Sequence, residues 1–177
     1  MSLERLWAGW RNDYVAAHAA GTAEARSTEG GSVFTRILAS GLPDDDTGVV
    51  HRGERCFAIL NRFPYGSGHL LVMPYREVAE LAALTDDEHA ELWSTVRDAV
   101  AAVTAAYSPD GVNVGANLGE AAGAGVPGHV HVHVLPRWHA DSNFMTAVAE
   151  TRVLPEALPA TWAKLTAAWP GSTVGEG

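Results

Sequence analysis

The residues of this chain with the most chemistry in them lie in Gly128-His129-Val130-His131-Val132-His133-Val134-Leu135-Pro136-Arg137-Trp138. Three of the chain's eight histidines alternate with valines over five residues. Valine favours strands, and a strand sends successive side chains to opposite faces. His129, His131 and His133 then share one face, and Val130, Val132 and Val134 share the other. The valine face suits a core. The histidine face either lines a cleft or buries three imidazoles at considerable cost. Two chemistries need such a face. Neutral imidazole is a common zinc ligand. Imidazole is also a nucleophile whose neighbours orient it and handle charge or protons. In a flat strand, residues i and i+4 are about 13 Å apart. Three such histidines do not easily converge on one ion at about 2.0–2.1 Å, although two could, with a ligand from elsewhere.

A chain of 177 residues, 47% of them apolar, is enough for one domain with a substantial core. The net charge of −9 argues against a general nucleic-acid binder. It still permits a small polyanionic substrate, because a site can be locally positive on an acidic protein. The single cysteine, Cys56, excludes an intrachain disulfide and a thiolate-rich metal cluster. No run approaches the roughly 20 apolar residues of a membrane span, and the N-terminus lacks a signal-peptide pattern. The expectation is a soluble cytoplasmic protein with no membrane partner.

The elements that must position the histidines can be read in order. Residues 1–31 read as an aromatic segment followed by a flexible Ala/Gly/Ser/Thr linker. The segment clips onto the core or onto a second subunit, with a substrate role for Arg11 as the lesser alternative. Val33 to Leu38 is a short apolar segment, and Pro43 to Gly48 a turn with a solvated acidic run. Val49 to Arg52 and Cys56 to Asn61 read as strands around a Gly53-Glu54 turn, with His51 on the surface. A loop, Pro64 to Gly68, leads to a strand over His69 to Pro74. Thr85-Asp86-Asp87-Glu88 is a capping box. Leu92, Val96, Val100, Val103 and Tyr107 then recur at helical spacing. Val112 to Leu118 reads as a strand, followed by the glycine-rich stretch Gly119 to Gly128. Its amides could face phosphate oxygens. Leu158, Trp162, Leu165 and Trp169 predict a terminal helix, and residues 170–177 a disordered tail. Short connections favour antiparallel pairing. The result is a single α+β domain over 32–169, with a meander-like antiparallel sheet of about five strands, a long packing helix and a C-terminal helix.

His-Val-His-Val-His-Val-Leu resembles the signature of the histidine triad (HIT) family of nucleotidyl hydrolases and transferases. A second block, Asn61-x-x-Pro64-x-x-x-Gly68-His69-x-Leu71-Val72-x-Pro74, resembles the same family. The resemblance covers roughly Val33 to Arg137 and implies a HIT-like fold and a homodimer. It implies that His131 is the nucleophile, with a backbone carbonyl fixing its tautomer. His129 and His133 would stabilise phosphoryl charge or move protons. Asn61 would bind ribose, and His69 would sit beside the site. Asn117 and the amides near Gly123 and Gly125 would meet the phosphates. Val33, Phe34, Ile37 and Ile59 would form the base pocket. The usual polar loop donor is replaced by Ala124 and Gly125. Many relatives carry a Cys-x-x-Cys zinc pair where this chain has Ser32 and Thr35, so no such zinc is expected, and no other cofactor. Arg137 would offset phosphate charge or pair with a surface acid. Trp138 would cover substrate or pack on the N-terminal aromatics. The flanks, Leu6 to Tyr14 and Trp138 to Phe144, resemble the bacterial diadenosine-polyphosphate phosphorylases. That branch cleaves diadenosine tetraphosphate with phosphate to ATP and ADP through a nucleotidyl-histidine. A dinucleoside polyphosphate or phosphoramidate hydrolase, a metal-dependent hydrolase and a non-catalytic nucleotide sensor stand as alternatives.

Overall fold

Short local signals place most of the element boundaries seen in the computed structural model, which describes residues 31–139, 141 and 156–172. The N-terminal aromatic segment, nearly all of the linker, the stretch from Ser142 to Phe144 and residues 173–177 of the tail lie outside the described residues. Ser32 caps the first helix, α1 (Val33–Ala39), its Oγ accepting the Thr35 N–H at 3.3 Å. Where the sequence suggested only a turn, three aspartates open a single helical turn, α2 (Asp44–Thr47). Gly48, at φ 80°, closes it in the left-handed conformation that glycine adopts without a Cβ clash. Strands β1 (Val49–Arg52), β2 (Cys56–Leu60) and β3 (Leu70–Pro74) follow.

The long helix α3 (Asp86–Tyr107) starts at the expected capping box. Thr85 Oγ1 accepts the Glu88 N–H, and Glu88 Oε2 accepts the Thr85 N–H at 2.8 Å. Arg76 also clamps Glu88 through Nε and Nη2, and with the Thr85 amide holds its carboxyl at a pKa of about 2. Strands β4 (Gly111–Gly115) and β5 (Val132–Arg137) precede the last helix, α4 (Leu158–Ala167). After α4, the Ser172 N–H donates to Trp169 O at 3.0 Å.

The five strands among the described residues join one antiparallel sheet, confirming the α+β expectation, in the order β1-β2-β3-β5-β4. Only β1 to β3 form a meander. β5 inserts between β3 and β4, which α3 connects across one face. One face packs Ala58, Leu70, Val72, Val132 and Val134 against Leu92, Val96, Ala99 and Val103 of α3 and Leu165 of α4. The other face carries Phe57, Ile59, Leu71 and Met73 beneath Phe34 of α1. His51, expected at the surface, is half-buried and stacked on Trp169 at 4.7 Å.

Candidate active site

Register brings the histidines to the α1 side of the sheet. Leu71 of β3 and Gly115 of β4 both pair with His133, so the imidazole stands between a leucine and a residue with no side chain. The regular strand begins only at Val132, so His129 and His131 approach the sheet from a turn. The three imidazoles therefore do not line a cleft as one even face. His129 is fully buried and His131 is 6% exposed. Phe34 packs against both rings, with centroids 5.6 Å away in each case.

A carbonyl can only accept a hydrogen bond, so the protons of these rings can be assigned. His129 Nε2–H donates to Pro74 O at 2.8 Å, leaving Nδ1 to accept from Ser32 Oγ at 2.8 Å. Ser32 is itself held, because its N–H donates to Glu77 Oε2 at 2.6 Å. His131 Nδ1–H donates to His129 O at 2.7 Å, which leaves a lone pair on Nε2. The Tyr65 N–H donates to His69 Nδ1 at 3.1 Å. His69 must therefore donate from Nε2 to His133 Nδ1, at 2.9 Å. The remaining proton of His133 sits on Nε2, a buried atom without an acceptor among the described residues. Ser32→Ala is expected to lower the unfolding free energy by about 1–3 kcal/mol, because it strands the buried Nδ1 of His129. Denaturant titration measures this, and an unchanged midpoint would show that Ser32 is not needed there.

Burial holds all three imidazoles of the motif below the ordinary histidine pKa. For His133, desolvation and then the neighbouring His131 push it down to about 4. Cys56 is not a second nucleophile, since burial pushes its thiol up to about 12. The same proton accounting bears on metal. Both nitrogens of His129 are engaged and the outward nitrogen of His133 carries a proton, so the triad offers one lone pair, on His131. No group of three or more metal-ligating side chains is gathered among the described residues.

The other candidate residues divide. His69 joins the imidazole cluster. Asn61 lies beside it, but its side chain is used locally: Oδ1 accepts the Phe63 N–H at 3.0 Å and Nδ2 contacts His69 Nδ1 at 3.3 Å. Val33 is 39% exposed and belongs to neither core cluster, whereas Ile59 is 2% exposed and Ile37 packs at the core's margin. Of the four proposed base contacts Phe34 packs on two rings of the triad, while Val33, on the same helix, is exposed. Gly123 is corrected: its N–H is spent on Glu120 O at 2.9 Å and its carbonyl faces Asn117 Nδ2. Gly125 remains exposed. Arg137 pairs with Asp141, as the surface-acid alternative supposed, through Nε at 2.5 Å and Nη2 at 2.8 Å. Trp138 packs edge-on against Tyr107 of α3.

Sequence reasoning missed three residues that the fold brings in. Ser32 was weighed only as a poor zinc ligand. Tyr65 stacks on His133 at 5.8 Å and meets the His69 ring at a tilt, 4.7 Å away. Asn113 lines a cleft of about 260 Å³ with Tyr65, His133, Leu135, Gly115 and Asn117. The alternation Asn113-Gly115-Asn117 was a period-2 signal that could have found it.

The HIT domain pattern matches residues 43–140. The AP-4-A phosphorylase of Mycobacterium tuberculosis (strain ATCC 25618 / H37Rv) is 41% identical over 167 residues, covering 94% of this chain and 85% of that protein. The asymmetrical bis(5'-nucleosyl)-tetraphosphatase of Schizosaccharomyces pombe is 39% identical over 93 residues, 52% of this chain and 50% of that protein. A zinc-bound histidine triad family protein from Mycobacterium smegmatis superposes with a TM-score of 0.62 at 27% identity, covering 77% of this chain and 91% of that one. With the family pattern spanning more than half its length and a relative of this identity along nearly all of it, the chain belongs to the HIT domain family.

Proposed function

We propose that the protein is a nucleotidyltransferase that cleaves diadenosine tetraphosphate with inorganic phosphate, giving ATP and ADP. The observation that carries the reading is His131, whose Nδ1–H is fixed on a backbone carbonyl at 2.7 Å and whose Nε2 keeps its lone pair. Nε2 attacks the α-phosphorus of one adenylyl group. The P–O bond to the bridging oxygen breaks, its electron pair leaves with ATP, and AMP stays bonded to His131. A phosphate oxygen then attacks the same phosphorus, the P–N bond breaks, and ADP departs. His133 Nε2–H donates a hydrogen bond to a phosphoryl oxygen while charge builds there. His129 is a positioning residue: both its nitrogens are engaged, and its carbonyl orients His131. This departs from the phosphate-stabilising role expected for it. The 41% identity to the mycobacterial phosphorylase supports phosphate as the acceptor.

Hydrolysis is the second reading, and one observation favours it. Among the described residues no arginine or lysine lines the cleft beside His133, and Arg137 is already paired with Asp141. Incubation with diadenosine tetraphosphate, with and without phosphate, separates the two. Phosphorolysis yields ATP plus ADP only when phosphate is added. ATP plus AMP in both samples would establish the hydrolase, and binding without turnover a sensor.

The same proposal places the chain in the cytoplasm as a single domain over 32–169 that works as a homodimer. No helix among the described residues is long and apolar enough to cross a membrane. The outer edge of β4 is exposed, which leaves room for a second copy.

A further inference from the structure

We propose that the cleft beyond His133 is the subsite for the departing nucleoside polyphosphate, and that Asn113 binds its phosphate chain. The inference rests on the nucleotidyl-transfer reading and names the place of the half of the substrate that leaves. His131, His133 and Leu135 follow one another along one side of the chain, spanning about 13 Å. Phe34 of α1 packs at the His131 end. The cleft opens at the other end, past His133, with Tyr65 on one wall, Leu135 as floor and Asn113, Gly115 and Asn117 opposite. A phosphorus held at His131 Nε2 has one substituent toward α1. The other substituent runs past the unpartnered Nε2–H of His133 into the cleft.

Asn113 is oriented for an anion. Arg137 Nη1–H donates to Asn113 Oδ1 at 2.8 Å, and Asp141 fixes the same guanidinium from the other side. Since a guanidinium only donates, the amide oxygen must face it, and the NH₂ group is turned away with two donors for phosphate oxygens. Arg137 thereby acts as a positioning residue and not as a direct phosphate ligand. Tyr65, 47% exposed, and Leu135 give the apolar surface a nucleobase needs.

Two substrates that deliver the same adenylyl group test this. Diadenosine tetraphosphate expels ATP, which would fill the cleft, whereas adenosine 5'-phosphofluoridate expels fluoride, which would not. Asn113→Ala is expected to lower the ratio of kcat/KM for the first substrate over the second by about 10–100-fold, the cost of a hydrogen bond to a charged group. Asn113→Asp keeps the Arg137 contact but sets an anion against the phosphates, and should lower the ratio further. Equal losses on both substrates would overturn the subsite and make Asn113 a general support of the histidines. An unchanged ratio would overturn it as well. Failure of the unsubstituted protein to form an adenylyl-histidine from either substrate would instead overturn the transfer reading.

Discussion

His131→Ala is expected to leave a folded protein that forms no nucleotidyl-enzyme and has lost roughly 10⁴–10⁶-fold in turnover, the range for removing a covalent nucleophile. The argument is one of lone pairs. Four imidazoles gather at the site, yet three of them have every outward nitrogen either bonded or protonated. Only His131 Nε2 remains to attack phosphorus. Its ring is held against Phe34, and its tautomer is fixed by a peptide carbonyl that side-chain substitution cannot remove. The neighbours therefore persist in the variant but have no nucleophile to serve. Mass spectrometry of enzyme quenched in base locates the adduct. A nucleotide found on His69, His129 or His133 would sink the assignment.

The second large effect concerns His133 and acid. His133→Ala should slow adduct formation by roughly 10²–10³-fold, the usual loss for one transition-state hydrogen-bond donor. The wild-type rate should stay flat as pH falls through the ordinary imidazole value of about 6.5. Burial keeps His131 neutral below that point and holds His133 down to about 4. The rate then falls at a pH below the ordinary imidazole value, as His131 is protonated. Stability follows the opposite cue. The unfolded chain binds protons at about 6.5 while the folded histidines do not, so folding stability is fully present above that pH and declines between there and 4. Below about 4 His133 takes its proton in both states and adds nothing further. Rapid-quench rates and denaturation midpoints across this range check both statements. A rate midpoint near 6.5 would mean that the nucleophile is not the buried imidazole.

The alternation of valine with histidine and the capping box at Thr85 were legible because each is a local code, period 2 in one case and a reciprocal hydrogen bond in the other. The insertion of β5 between β3 and β4 was not legible, because strand order depends on how α3 crosses the sheet. The site divides along the same line. His131 stands out in the motif. The partners of its neighbours were hidden: His129 is held by the Ser32 hydroxyl and the Pro74 carbonyl, and His69 by the Tyr65 amide. A carbonyl or amide leaves no trace in residue type. Asn113 was overlooked for a related reason: its value comes from Arg137, 24 positions later, which fixes the direction of its amide.

The order of donors and acceptors starts at the Tyr65 peptide N–H and passes through His69 to His133. A peptide group does not titrate near neutrality, so neither ligand nor solvent reverses that direction. Histidine-rich exposed strands ordinarily scavenge nickel, copper and zinc from their surroundings. Here His129 and His131 are buried, and as the hydrogen bonds run, the triad turns a single lone pair, on His131 Nε2, toward whatever enters the site.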